Sequence, residues 1–135
     1  NNTVMNRLDA IDGMCDRTHW QVSEMLSGAL DVPTGYEPKV VGRTMIVAAP
    51  GKRQALVDAF LGIRDKVTPD VKPMVSAPMS GPISAVRVTT FGASLQDLDD
   101  QIKEFRGQAV SSGVPDLLSQ VPVFHLGRVV YRASV

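Results

Sequence analysis

The chain has 135 residues, of which 44% are hydrophobic and 21% charged, and its 14 basic and 14 acidic residues cancel. This length and composition predict one globular domain over residues 1–135 with its own core, and they exclude a disordered chain. A neutral chain lacks the broad positive field that attracts nucleic acid or anionic membranes, so we expect nucleic-acid contact to be weak at most.

The cysteine content and hydropathy of the chain indicate its cellular setting. Cys15 is the only cysteine, so no intrachain disulfide can form, which favours a reducing compartment and a cytoplasmic location. No apolar stretch approaches the roughly 18 residues of a membrane span, so we expect no membrane contact from this chain. Because the chain starts at Asn1 rather than Met, a removed leader or anchor stays open.

Residues 3–30 predict a leading amphipathic helix, or a pair of helices broken near Gly13. Apolar residues recur there at alternating gaps of four and three, which is typical of the seam of a packed or coiled helix. The proline-containing stretch 31–39 ends this segment. Since such a seam suits a twofold interface, we predict a homodimer whose contacts include Val4, Leu8, Ile11, Val22 and Met25.

The sheet-and-helix core is predicted over residues 40–135, and its first half contains two strands and a helix. Residues 44–49 form a short apolar run, as in a buried strand. Residues 71–78 predict a weaker strand at a sheet edge, because Pro73 cannot donate a ladder hydrogen bond. Between the two strands, a helix presents one apolar stripe made by Leu56, Ala59, Phe60, Ile63 and Val67.

The second half of the core repeats the strand–helix–strand pattern. Residues 83–91 alternate as a strand, and the final strand lies within residues 122–135. Ser94 is predicted to cap a second helix, with Asp97 as the reciprocal acceptor of a capping box. The buried stripe of this helix is predicted to contain Leu95, Leu98, Ile102, Phe105 and Ala109.

The order of elements is therefore a leading helix followed by β-α-β-β-α-β. The short connection between the two middle strands favours an antiparallel pair. We predict an α/β fold, a ferredoxin-like two-layer sandwich with two helices on one face of a four-stranded sheet. The alternative is a mainly parallel sheet with helices on both faces.

One turn has features of an anion-binding site. Gly51, Lys52 and Arg53 lie where a strand meets a helix N-terminus, and backbone N–H groups beside two cations can hold a phosphate. A phosphate-binding loop of nucleotide hydrolases is excluded, because Ile46 stands where its first glycine is required and Arg53 where its hydroxyl is required. The turn supports a small-ligand or anion-binding regulatory domain as an alternative function.

No signature of an enzyme is present, since GxSxG, CxxC, HExxH and GxGxxG are all absent. Asp12, Asp16 and His19 share helical spacing that can bind a divalent metal, but such a face is more often only solvated. We therefore predict a non-enzymatic protein with no catalytic residue, no cofactor and no metal site.

Between residues 42 and 113, a glycine-led apolar strand, an alanine pair and a helix (GRTMIVAAPGKRQALVDAF) precede a second strand (PMVSAP) and a helix ending in SSG. This order resembles the assembly and packaging cofactor of cystoviruses, the segmented double-stranded RNA bacteriophages. The resemblance implies a dimeric minor protein of the virion interior that contacts capsid and polymerase proteins and assists assembly and RNA packaging. It also implies a BRCT-like, mainly parallel fold, although the final strand departs from the long helix that ends a BRCT domain.

These observations favour an interaction or assembly protein, and the partners we expect are a second copy and other proteins of an assembly. A ligand-binding regulatory domain is the first alternative, and weak contact of Lys52, Arg53, Arg87 or Arg106 with a nucleic-acid backbone stays open. The second alternative is a module of a membrane-tethered assembly complex whose anchor lies upstream.

Overall fold

Five strands and two α-helices make up the part of the chain that the computed structural model describes, which is residues 22–27, 32–79 and 82–130 and the isolated positions 6, 10, 13 and 14. In chain order these are β1 (Ser23–Met25), β2 (Val40–Val47), α1 (Arg53–Lys66), β3 (Met74–Pro78), β4 (Ala85–Gly92), α2 (Leu95–Ser111) and β5 (Val123–Arg128). A 3₁₀ turn, Val114–Leu117, follows α2.

The strands form one sheet in the order β1-β3-β4-β2-β5, and each neighbouring pair is antiparallel. The predicted α/β class is confirmed. The mainly parallel, BRCT-like alternative is wrong, because each helix connects two strands that have a third strand between them. Strands β2 and β3 flank β4, and β4 and β5 flank β2, so no parallel strands become neighbours.

Both helices pack on one face of the sheet, where they form a single hydrophobic core with the strands. The strands contribute Ile46, Val75 and Val86 to this core. The predicted stripe of α1 is confirmed, because Leu56, Phe60, Ile63 and Val67 are buried and Ala59 is half-buried against the same core. The rings of Phe60 and Phe105 lie 5.6 Å apart and join α1 to α2.

The start of α2 is fixed by the predicted cap, with one difference. Ser94 Oγ accepts the backbone N–H of Asp97 at 3.1 Å, as in a capping box. The Asp97 carboxylate accepts the N–H of Ala93 at 2.8 Å instead of that of Ser94. Leu98 and Phe105 are buried as predicted, but the prediction for Leu95 is wrong, because this first-turn side chain is 60% exposed.

Two sequence predictions near the N-terminal side of the sheet are wrong. The leading helix does not include Ser23–Met25, since these residues form β1, which pairs with β3. As a consequence β3 is not an edge strand, because β1 covers one side of it and β4 the other. Pro73 fits this position, since it precedes the first strand residue, Met74, and needs no ladder hydrogen bond.

The ends of the predicted elements fall partly outside the described residues. Asn6 and Ala10 are helical and Gly13 and Met14 lie in a turn, while the remainder of the predicted helix before Val22 lies outside. Strand β5 ends at Arg128, and the predicted strand residues 131–135 lie outside as well. In the part of the chain that the structure describes, no helix combines the length and the apolar character needed to cross a bilayer.

Candidate interaction surface

The two outer strands of the sheet differ in length and in side chains. Strand β1 has three residues and carries the exposed charge of Glu24, both of which are usual protections of a sheet edge against pairing with another chain. Strand β5 has six residues and contains no proline, and its one exposed charge, Arg128, is at its end. The β5 edge is therefore the less protected of the two.

Apolar side chains are concentrated on and beside β5. Leu126 is 58% exposed, Val123 48% and Phe124 39%. Val121 and Val130, on either side of the strand, are more than four-fifths exposed. Phe124 and Leu126 lie on the helix-facing side of the strand and Val123 on the other side, because side chains alternate along it. A group of exposed apolar residues along one edge is typical of an interaction site, whereas single exposed apolar residues are common on any surface. We call these five residues the β5 patch.

The backbone of β5 is paired on one side. Its register with β2 runs from Val40 opposite Arg128 to Met45 opposite Val123. Among the described residues, no further strand pairs with the outer side of β5. Within the part of the chain that the structure describes, the N–H and C=O groups that point outward along this strand thus have no strand partner.

Small residues hold β5 close to the sheet and to α2. A Cβ on Gly42 would lie 2.9 Å from the ring of Phe124 and 3.1 Å from Ile102, so only glycine leaves room for this ring. Helix α2 also contacts this ring, because the guanidinium carbon of Arg106 lies 5.9 Å from the centre of the ring. Phe124 is thus anchored while its strand remains at the surface.

The structure places the predicted anion-site residues together at the start of α1. Gly51 has φ +74°, a conformation that favours glycine, and Lys52 is the N-cap residue but makes no capping hydrogen bond through its side chain. Leu56 donates the first helical hydrogen bond, to the Lys52 carbonyl at 3.0 Å, so the preceding amides of the first turn are free of helical partners. Within the described residues, Arg53 Nε is buried without a hydrogen-bond partner. Anion binding at this turn stays a prediction.

The predicted dimer seam is only partly visible. Val4, Leu8 and Ile11 lie outside the described residues. Val22 is 64% exposed and Met25 is 44% exposed, and Met25 belongs to β1 rather than to a helix. The helical seam is therefore wrong for Val22 and Met25, since neither lies in a helix, although both side chains remain accessible at the β1 edge.

The sheet face opposite the helices carries a group of basic side chains. Arg43 on β2 is directly opposite His125 on β5, and Arg87 on β4 is 8% exposed. Arg87 donates to Ser23 Oγ at 3.0 Å. Burial, assisted by the nearby charge of Arg43, lowers the pKa of Arg87. RNA recognition on such a face uses aromatic residues at the middle of the central strands, where β2 and β4 have Arg43 and Arg87.

Sequence reasoning missed the β5 patch as a candidate site. The run from Val121 to Leu126 was visible as a strand, but its period cannot tell an edge strand from a covered one. No group of three or more metal-ligating side chains occurs among the residues that the structure describes.

Comparison with protein-family models, with curated proteins and with solved structures finds no match to this chain.

Proposed function

We propose that this protein is a non-enzymatic interaction domain that forms a homodimer through β5. The observation that supports the proposal is the coincidence of the less protected strand edge with several exposed apolar side chains. Pairing of two chains here would satisfy the outward backbone groups and remove apolar surface from water in the same step.

A second copy is the partner that the geometry favours. An antiparallel strand pair has twofold symmetry, so the same edge can serve both subunits without a separately evolved partner. In a twofold pair centred on His125, Phe124 of each subunit lies opposite the Leu126 position of the other. Such cross-strand pairs of aromatic and aliphatic residues stabilise a sheet by about 0.2–1 kcal/mol each.

We further infer that the four strands from β2 to β5 and the two helices belong to the ferredoxin-like class of folds. The strand order supports this inference, since β4 lies between β2 and β3 and β5 lies beside β2. The proposal does not depend on the resemblance to cystovirus packaging cofactors, whose implied sheet is mainly parallel. A role in the assembly of a viral polymerase complex remains a hypothesis without a structural observation of its own.

Mass measurement of charged variants tests the dimer. Leu126→Arg places two like charges near the proposed twofold axis, and we expect it to weaken dimerisation at least tenfold, since central apolar contacts dominate interface energies. Size-exclusion chromatography with multi-angle light scattering should give twice the chain mass for the native protein and the chain mass for this variant at low micromolar concentration.

The opposite edge of the sheet supplies a matched control. Met25→Arg makes the same kind of change on the edge strand β1, at a side chain of similar exposure, and should leave the dimer intact. A native protein that is monomeric at high micromolar concentration would refute the proposal. A dimer that survives Leu126→Arg but dissociates in Met25→Arg would assign the interface to the β1 side instead.

A further inference from the structure

A cavity of about 470 Å³ lies between α2, the helix-facing side of the sheet and the 3₁₀ turn. Its wall is apolar except for Thr44, Thr90 and Arg106. Val110 and Val121 in its wall are 67% and 83% exposed, so the cavity opens to solvent on one side. It falls within the range of about 300–1,000 Å³ that small-molecule sites occupy.

The chemistry of the wall restricts the occupant. Ile46, Val88 and Phe105 line the deep part of the cavity and are all buried, so water there would find almost no hydrogen-bond partners. An apolar group entering this part is released from water and gains dispersion contacts. The occupant therefore has an apolar body that reaches between α2 and the sheet.

Arg106 supplies a positive charge where the cavity opens to solvent. It lies on the exposed side of α2, one turn before Val110, and its guanidinium stands over the ring of Phe124. No carboxylate lies within ion-pair distance of Arg106 among the described residues. A guanidinium binds a carboxylate through two parallel hydrogen bonds, which makes it well suited to an acid held by its apolar tail.

We propose that the cavity binds an amphipathic monocarboxylate, a medium-chain fatty acid or an acid of similar shape, with its tail inside and its carboxylate on Arg106. This site is separate from the predicted anion-binding turn at Gly51. Val121 and Phe124 belong both to the cavity wall and to the β5 patch, so binding is measured on Leu126→Arg as well as on the native protein, because Leu126 is not part of the cavity wall.

Calorimetric titration with octanoate, decanoate and dodecanoate, each below its critical micelle concentration, tests the site. We expect one saturable site per chain and an affinity that rises about fourfold with each added methylene until the cavity is full. Decanol, which keeps the tail and lacks the charge, should bind at least tenfold more weakly than decanoate.

Two arginine variants distinguish binding of the acid in this cavity from non-specific adsorption to the protein surface. Arg106→Gln should weaken decanoate binding at least tenfold, whereas Arg43→Gln, an equal loss of charge on the other face of the sheet, should leave it unchanged. Ala109→Leu, which adds volume at the wall, should weaken dodecanoate more than octanoate. The proposal is overturned by absence of saturable binding across the series, by equal binding of decanol and decanoate, or by equal effects of the two arginine variants.

Discussion

Tyr36 and Asp97 are 61 positions apart, and the Tyr36 hydroxyl lies 3.3 Å from the Asp97 carboxylate. The same hydroxyl is 3.2 Å from the carbonyl oxygen of Phe91. Asp97 also accepts the N–H of Ala93 and the side-chain amide of Gln101. The loop before β2 is thereby attached to the capped end of α2, so one carboxylate organises both a helix start and a long-range contact.

We expect Asp97→Asn to lower the free energy of unfolding by about 1–2 kcal/mol, because the neutral amide accepts these hydrogen bonds more weakly than a carboxylate does. Tyr36→Phe should cost about 1 kcal/mol through loss of the hydroxyl contact alone. Urea denaturation followed by circular dichroism measures both values. Asp99→Asn, a change on the exposed side of the same turn, should alter stability by less than about 0.5 kcal/mol; equal losses in Asp97→Asn and Asp99→Asn would contradict the special role of Asp97.

The same carboxylate predicts an acid-sensitive contribution to stability. Burial raises the pKa of Asp97, but the hydrogen bonds from Ala93, Gln101 and Tyr36 outweigh it and hold the pKa below its ordinary value of 3.8. A group whose pKa is depressed on folding stabilises the protein above its unfolded pKa and loses that contribution as the pH falls through the folded pKa. The stability difference between native protein and Asp97→Asn should therefore be constant above about pH 5 and shrink below about pH 4.

Urea titrations of both proteins between pH 2.5 and pH 7 measure that difference. Tyr36→Phe, which retains the carboxylate, should keep an acid transition of the same sign and smaller size. A difference that grows on acidification would mean that the pKa of Asp97 is raised on folding.

Much of the core could be predicted from sequence because its local signals are strong. The stripe Leu56–Phe60–Ile63 has the spacing of one helix face, and Val86 and Val88, two positions apart, share the core-facing side of a strand as that spacing predicts. The cap at Ser94 likewise depends on residues close in sequence. Strand β1 was missed because its three residues carry little periodic information and are extended only through pairing with β3.

The candidate site was harder to predict because it depends on position in the sheet. Phe124 and Leu126 look like core residues of a strand, and their exposure follows from the placement of β5 at the outside of β2. The cavity beside Arg106 depends on packing between elements that are distant in sequence. No local sequence pattern indicates the exposure of the β5 side chains or the presence of the cavity.

A hydrogen-bonded link between the helices gives a separate prediction. The Glu104 carboxylate on α2 accepts the backbone N–H of Thr68 at 2.9 Å and its hydroxyl at 2.8 Å, just after the end of α1. We expect Glu104→Ala to lower the free energy of unfolding by about 1–2 kcal/mol and Glu104→Gln, which keeps an acceptor, to cost less. Lys103→Ala, at the neighbouring exposed position, should change stability by under about 0.5 kcal/mol.

A double-mutant cycle with Thr68→Val measures the part of that loss that depends on the Thr68 hydroxyl. The backbone N–H of residue 68 still donates to Glu104 in this variant, so the sum of the two single losses should exceed the loss in the double variant by about 0.5–1 kcal/mol. Strict additivity would show that the hydroxyl contact contributes nothing to stability.

Gly42 offers the most direct test of how β5 is held. A Cβ there meets the Phe124 ring at 2.9 Å, so Gly42→Ala should displace Phe124 and destabilise the protein by about 1–3 kcal/mol. Gly62→Ala on α1 is the matched control, because a Cβ there meets nothing within 4 Å and a helical alanine should add up to about 1 kcal/mol. Thermal unfolding of the two variants should therefore shift in opposite directions. Hydrogen exchange should quicken at β5 and β2 in Gly42→Ala while the amides of α1 keep most of their protection. Unchanged stability of Gly42→Ala would mean that Phe124 does not pack over Gly42 in solution, and the anchored position of β5 would have to be abandoned.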